Sequence, residues 1–240
     1  MTGFLASVAT PEEAQIVLEI GADILDIKDP RSGALGAVAP GIAKKIVRTV
    51  NGRVKTSATI GDLPLDVDLI QKSITNTRAS GVDIVKIGIF SSTVSDDLQR
   101  MLQQQSATGL KIVLVFFADM QPDIRVLSRL RGSGIYGVML DTADKSRGSL
   151  RNCTNDDYLK QFIVNARDNG LINGLAGSLQ FSDVGTLLEL NPDFLGFRGA
   201  LCKRFQRNNV IDRQAVSKIR AAIPATFSSD NLDQAISTSA

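Results

Sequence analysis

Two lysines stand inside apolar runs of this chain: Lys28 in Ala22-Asp23-Ile24-Leu25-Asp26-Ile27-Lys28-Asp29, and Lys86 in Val82-Asp83-Ile84-Val85-Lys86-Ile87-Gly88-Ile89. Desolvating an ammonium is costly, so a lysine in a buried strand needs a partner or a task. Burial lowers its pKa, and a lysine partly neutral near pH 7 is a nucleophile toward carbonyls. The residue inventory narrows the choice further. With no histidine in 240 residues, Ser-His-Asp triads, Cys-His dyads and His-ligated metals are excluded. Acid–base work then falls to Lys, Asp, Glu, Tyr or water. Cys153 and Cys202 are too few for a disulfide framework and lack metal-ligand spacing, so they read as reduced thiols, and neither a metal nor a cofactor is implied.

The elements that must hold these lysines alternate regularly. Strand-like runs occupy Phe4–Val8, Ile24–Lys28, Val54–Thr59, Ile84–Ile89, Lys111–Phe117, Gly137–Leu140, Gly174–Gly177 and Phe194–Arg198. Helical patterns fill Pro11–Ile20, Ile42–Val50, Val67–Ser80, Ser95–Ser106, Pro122–Arg131, Asp156–Asn169, Phe181–Leu190 and Arg213–Ala222. Thr10-Pro11-Glu12-Glu13 is a helix start, with a cap, proline at the first position and acids in the first turn. Gly21, Gly81, Gly109, Gly132 and Gly170 close helices. Near-continuous apolar runs such as Ile112-Val113-Leu114-Val115 suit a parallel sheet covered on both faces. Eight such units predict an α/β fold, a single (β/α)8 TIM barrel over residues 1–223, with a loosely held tail over 224–240. A doubly wound open sheet fits less well, because no G-x-G-x-x-G follows any strand.

In such a barrel chemistry sits at the C-terminal strand ends. There the sequence places Asp26 and Lys28, Ser57 and Thr59, Lys86, Asp141, Ser178 and Arg198. Side chains two apart share a strand face, so Asp26 and Lys28 point the same way. Glycines in Ala176-Gly177-Ser178 and Arg198-Gly199-Ala200 would let backbone N–H groups approach a phosphate, with Arg198 adding charge. Lys145, in the loop after the sixth run, joins Ser57, Thr59, Gly177, Ser178, Arg198 and Gly199 as a substrate- or phosphate-binding candidate. The net charge is +2 with basic residues scattered, which points away from nucleic acid. No run reaches the roughly 18–20 apolar residues of a membrane span, and the N-terminus lacks a signal peptide's basic region. A cytoplasmic enzyme acting on a small molecule is expected; assembly into a homo-oligomer is left open.

These stretches resemble the (5-formylfuran-3-yl)methyl phosphate synthases, also called 4-(hydroxymethyl)-2-furancarboxaldehyde-phosphate synthases. The resemblance lies in Gly21-Ala22-Asp23-Ile24-Leu25-Asp26-Ile27-Lys28-Asp29-Pro30 with Gly33-Ala34-Leu35-Gly36-Ala37, and in Ser57-Ala58-Thr59-Ile60-Gly61-Asp62. It continues through Val85-Lys86-Ile87-Gly88, Met139-Leu140-Asp141-Thr142-Ala143 and Leu175-Ala176-Gly177-Ser178. The last stretches are Arg198-Gly199-Ala200, Cys202-Lys203 and Arg207-Asn208-Asn209. Arg204-Phe205-Gln206 departs from it, standing where a glycine-rich insert is expected. The resemblance implies condensation of two molecules of glyceraldehyde 3-phosphate, with loss of phosphate and water, into the furan of methanofuran- or methylofuran-type carriers. It also implies Lys28 as the imine-forming residue and Lys86 as the proton carrier; from the residues alone the two lysines are interchangeable. On this chemistry Asp26 and Asp141 are expected to orient the ammonium and to shuttle protons in carbinolamine dehydration. A class I aldolase would share the imine but keep the phosphate. A phosphometabolite-binding barrel without catalysis is the non-enzymatic alternative.

Overall fold

The computed structural model describes residues 1–91 and 94–224; the expected tail, apart from Pro224, lies outside the described residues. Eight parallel strands close on themselves in sequence order. They are β1 (Gly3–Val8), β2 (Ile24–Ile27), β3 (Lys55–Thr59), β4 (Ile84–Ile89), β5 (Lys111–Phe117), β6 (Gly137–Asp141), β7 (Ile172–Leu175) and β8 (Phe194–Phe197). Outside them run α1 (Pro11–Ile20), α2 (Pro40–Val50), α3 (Val67–Arg78), α4 (Asp96–Ala107), α5 (Leu150–Cys153), α6 (Asp156–Asp168), α7 (Val184–Glu189) and α8 (Arg213–Ala222). The expected barrel is therefore the fold, and its structural relatives below are barrels too. No helix among the described residues is long and apolar enough to cross a membrane.

Strand alternation divides the apolar residues into two cores. Outward side chains such as Phe4, Ala6, Leu25, Ile27, Val85 and Ile87 pack beneath the helices. Inward ones such as Leu5, Ile24, Ile84, Val115, Met139 and Phe194 fill the lumen. Acidic clamps tie the N-terminal ends of the strands. Asp23, Asp83 and Asp193, each immediately before a strand, accept the backbone N–H of Phe4, Thr56 and Asn173 at 2.7, 2.7 and 2.8 Å.

Several boundaries differ from the sequence expectation, most of them by a residue or two. The segment expected as a helix over Pro122–Arg131 is a 3-10 stretch, Ile124–Leu130, capped by Asp123 and bounded by left-handed residues Gln121 and Gly132, where the backbone departs from helical geometry. The seventh strand begins two residues earlier than expected and ends at Leu175, because Gly177 (φ 106°) and Ser178 (φ 48°) adopt left-handed backbone that no strand accommodates. Lys28 and Arg198 fall one residue beyond β2 and β8, on the rim.

The loop from Lys28 to Ala39 turns back over the barrel mouth. Asp62 holds it, its carboxylate accepting the N–H groups of Ala34 and Leu35, both at 2.7 Å. Leu35 is thereby buried against the lumen core beside Phe90 and Phe117, whose rings stack at 4.4 Å between centroids. Gly88 is needed beneath this plug. A Cβ there would lie 2.9 Å from Leu35 Cδ1 and 2.7 Å from Phe90 Cε2. The apolar plug covers the mouth beside β4 and β5 and leaves it open on the side of β6–β8, β1 and β2.

Candidate active site

A cavity of about 790 Å³ occupies that open side, within the usual size of small-molecule sites. Its polar floor follows from strand register. Asp26 on β2 is paired with Ser7 on β1 and Ser57 on β3, all on the inward face. Ser7 Oγ donates to Asp26 Oδ2 at 3.0 Å, and Ser57 Oγ to Oδ1 at 2.6 Å. Lys86 Nζ, one strand further round, reaches Asp26 Oδ1 at 3.0 Å. This cluster forms the buried floor of the cavity: Asp26 is 0% and Lys86 3% exposed. Burial pushes the Asp26 carboxyl up, but the ammoniums of Lys86 and Lys28, with the Ser57 and Lys86 hydrogen bonds, bring it below the usual carboxylate range.

A second cluster lies at the rim. Lys28 Nζ stands 3.7 Å from Asp141 Oδ2, and Lys145 Nζ donates to Asp141 Oδ1 at 2.6 Å. Lys145 also donates to the Thr142 carbonyl, which fixes its side chain along the loop. Burial would raise the Asp141 carboxyl, yet Lys145 and Lys28 hold it well below the ordinary value. Lys28 is pushed down to about 8, first by burial and then by the ammoniums of Lys145 and Lys86, while Asp141 and Asp26 pull it back. About a tenth of Lys28 is then neutral at pH 7, compared with well under a thousandth for an ordinary lysine. The two lysines of the sequence analysis thus line one cavity on separate carboxylates, and Lys28 is partly neutral near pH 7.

The remaining candidates divide. Lys145, Gly177, Ser178 and Gly199 line the cavity. The backbone N–H groups of Gly177, Ser178 and Gly199 make no hydrogen bond among the described residues. At Gly177 a Cβ would sit 3.0 Å from Thr142, and its φ of 106° favours glycine. Ser57 serves Asp26, and Thr59 Oγ1 donates to the Gly36 carbonyl at 3.1 Å, holding the plug loop. Arg198 is engaged on all five N–H groups. Nη1 and Nη2 meet Glu13 at 2.6 and 3.0 Å, and the rest go to the carbonyls of Ser7, Arg207 and Asn209. In this conformation it braces the loop after β8 and has no donor left for a ligand. Cys202 is buried, its thiol pushed up to about 11 by burial, and is no nucleophile.

The sequence reading singled out neither Ser7 nor Glu13. Ser7 was findable, since it is the polar residue at the end of an otherwise apolar strand. Glu13 reads as a helix N-terminal acid, and nothing local announces that it also receives an arginine 185 residues away.

The 4-HFC-P synthase family model matches residues 4–220. Curated relatives agree with it. The (5-formylfuran-3-yl)methyl phosphate synthase of Methanosarcina barkeri is 31% identical over 92% of this chain and 99% of its own. That of Methanocaldococcus jannaschii is 32% identical over 90% and 97%. A Methylorubrum extorquens protein, whose name carries the same activity provisionally, is 38% identical over 90% and 91%. Solved structures establish the fold alone. Thermus thermophilus phosphoribosyl anthranilate isomerase superposes with TM-score 0.65 at 14% identity, over 92% of this chain and 98% of its own. A 3-hexulose-6-phosphate synthase superposes with 0.63 at 13%, over 93% and 100%. A match spanning nearly the whole barrel, with full-length relatives above 30% identity, settles the lineage: this chain is an enzyme of the 4-HFC-P synthase family.

Proposed function

We propose that this enzyme condenses two molecules of glyceraldehyde 3-phosphate into (5-formylfuran-3-yl)methyl phosphate through an imine on Lys28, releasing phosphate and water, and so supplies the furan of a one-carbon carrier. The observation that carries the reading is the buried Lys28 amine, brought to about 8 and set 3.7 Å from a carboxylate that stays ionised.

The neutral fraction of Lys28 attacks the aldehyde carbon of the first triose, and loss of water gives an iminium. The positive charge remains on the nitrogen facing Asp141, so that carboxylate compensates charge in the intermediate. Depressed pKa values make Asp26 and Asp141 poor proton donors at neutral pH, which favours orienting and compensating roles over proton shuttling. Lys86, held by Asp26, gives its ammonium proton to the departing hydroxyl as the iminium forms and, now neutral, takes the proton from C2, leaving an enamine. An enamine can expel a phosphate from C3 or attack the second aldehyde, and both steps are needed for a furan. The phosphate retained in the product needs a contact that persists throughout. The N–H groups of Gly177, Ser178 and Gly199 suit it, and Arg198 contributes by fixing the loop that carries Gly199.

Borohydride added with substrate should fix a triose-derived mass on the Lys28 peptide. Lys28→Arg should abolish it, because guanidinium stays protonated. Adduct formation that persists in that variant would remove Lys28 from this role.

A further inference from the structure

The reaction just proposed handles two phosphates, one kept and one expelled, whereas the backbone donors near Gly177 and Gly199 provide for one. Six cations line the cavity: Lys28, Lys86, Lys145, Arg151, Arg198 and Arg207. Five have a carboxylate partner. Lys28 and Lys145 share Asp141, Lys86 has Asp26, Arg151 meets Asp156 at 3.2 Å, and Arg198 meets Glu13. Arg207 alone makes no ion pair among the described residues. It is half-buried, and one N–H of its Nη2 donates to the Gly33 carbonyl at 2.7 Å. That bond places the guanidinium between the loop after β8 and the plug loop after β2. Its other N–H groups find no partner in the chain among the described residues.

A half-buried guanidinium without a counter-charge is expensive, since desolvation is not offset by attraction. Burial indeed holds Arg207 below the ordinary arginine value, and the fields of Asp141, Asp62 and Asp29, none of them in an ion pair with it, offset this only in part. A planar fork with vacant donors at the rim of an anionic-substrate cavity fits a phosphate dianion, which it can bind bidentately.

We propose that Arg207 binds the phosphate that leaves, that of the triose held on Lys28. The inference rests on the synthase reading. The proton from C2 has gone to Lys86, and the nitrogen lone pair of the enamine then pushes through C1 and C2. The C3–O bond breaks, and phosphate departs with the bonding pair, leaving a conjugated iminium on Lys28. Charge develops on the phosphate oxygens in this step, and Arg207 is the cation with donors to meet it. Arg207 is here a catalytic residue in a role separate from imine formation.

The test is a single turnover with glyceraldehyde 3-phosphate, quenched by borohydride, in the parent enzyme and in Arg207→Ala and Arg207→Lys. Losing a charge-assisted contact made mainly in the transition state should slow phosphate release about 10- to 100-fold. The Lys28 adduct should then accumulate in the form still carrying phosphate. Unchanged release and an unchanged ratio of the two adducts overturn the proposal. Calorimetric titration of the substrate-free proteins with inorganic phosphate supplies an arm independent of the reaction. Arg207→Ala should weaken phosphate binding by a similar factor, and affinity equal to the parent's overturns the proposal. If the parent traps no imine, the synthase mechanism falls while the titration still decides Arg207. Should Arg207→Ala fail to fold, Arg207→Lys carries both comparisons, because it keeps the charge and loses the fork.

Discussion

Replacing Asp141 with Asn should make Lys28 more acidic and its imine easier to form at low pH, although overall turnover falls. Lys28 Nζ and Asp141 Oδ2 are 3.7 Å apart and both residues are buried. At an effective dielectric of about 20, that separation corresponds to about 4 kcal/mol of attraction, or roughly 3 pH units. This is a ceiling, because an Asn dipole and entering water restore part of it. Lys145 acts in the same direction as the substitution. Once it loses its carboxylate, its charge repels Lys28 without compensation. The midpoint of borohydride trapping against pH should therefore move from about 8 in the parent to about 7 or lower in Asp141→Asn. At pH 6 the neutral fraction would rise from roughly 1% to roughly 10% or more, so early trapping there should be about tenfold faster in the variant. Turnover should drop at the same time, since the iminium loses its counter-charge. A trapping midpoint that stays near 8 or rises would refute the electrostatic account of Lys28.

Three further outcomes are expected. Lys28 titrates at 10.5 when unfolded and about 8 when folded, so below pH 8 the folded state bears the full penalty of the buried charge, and stability recovers as pH rises from about 8 to 10.5. Lys28→Met should therefore unfold at higher urea than the parent below pH 8, by up to about 3 kcal/mol, with the gap closing toward pH 10.5; the opposite slope would contradict the assigned pKa. Lys86→Ala should still trap imine while turnover falls roughly 10²–10⁴-fold, the usual loss for acid–base catalysis, and near-normal turnover would leave Lys86 a structural partner of Asp26. Arg198→Ala strands Glu13 in a buried site and should cost about 3–5 kcal/mol in chemical unfolding. Glu13→Gln should reproduce part of that loss, and a change confined to KM would instead mean direct contact with substrate.

Which parts of this site the sequence announces follows from the range of the interactions. Lys28, Lys86, Asp26 and Asp141 are legible because a charge inside an apolar strand is a local anomaly, and strand periodicity then tells which charges share a face. The eight strands are legible for the same reason. The pairing of those charges is not. Lys86 with Asp26 and Lys28 with Asp141 depend on barrel closure and register, which bring together residues 60 and 113 positions apart. Arg198 shows the limit most clearly. An arginine after the last strand, beside a glycine, reads as a phosphate ligand, yet Glu13 on the first helix takes its charge once the barrel closes β8 against β1. Arg207 shows the reverse: in sequence it belongs to a stretch shared with the family and, with Lys203 on the same basic loop, ranks behind Arg198 as a phosphate ligand, and it comes forward only when every neighbouring cation is found to have a carboxylate. The apolar spacing of Pro122–Arg131 suits a helix, whereas left-handed Gln121 and Gly132 bound a shorter 3-10 stretch there.

In the proposed reaction a lysine-bound triose is carried through phosphate loss to an aromatic aldehyde. Incubating the purified enzyme with glyceraldehyde 3-phosphate alone, and following product mass and released inorganic phosphate together, tests it most directly. One phosphate should be released for each molecule of (5-formylfuran-3-yl)methyl phosphate formed, with both signals lost in Lys28→Arg. A product that retains both phosphates, or phosphate release that persists without Lys28, would contradict it.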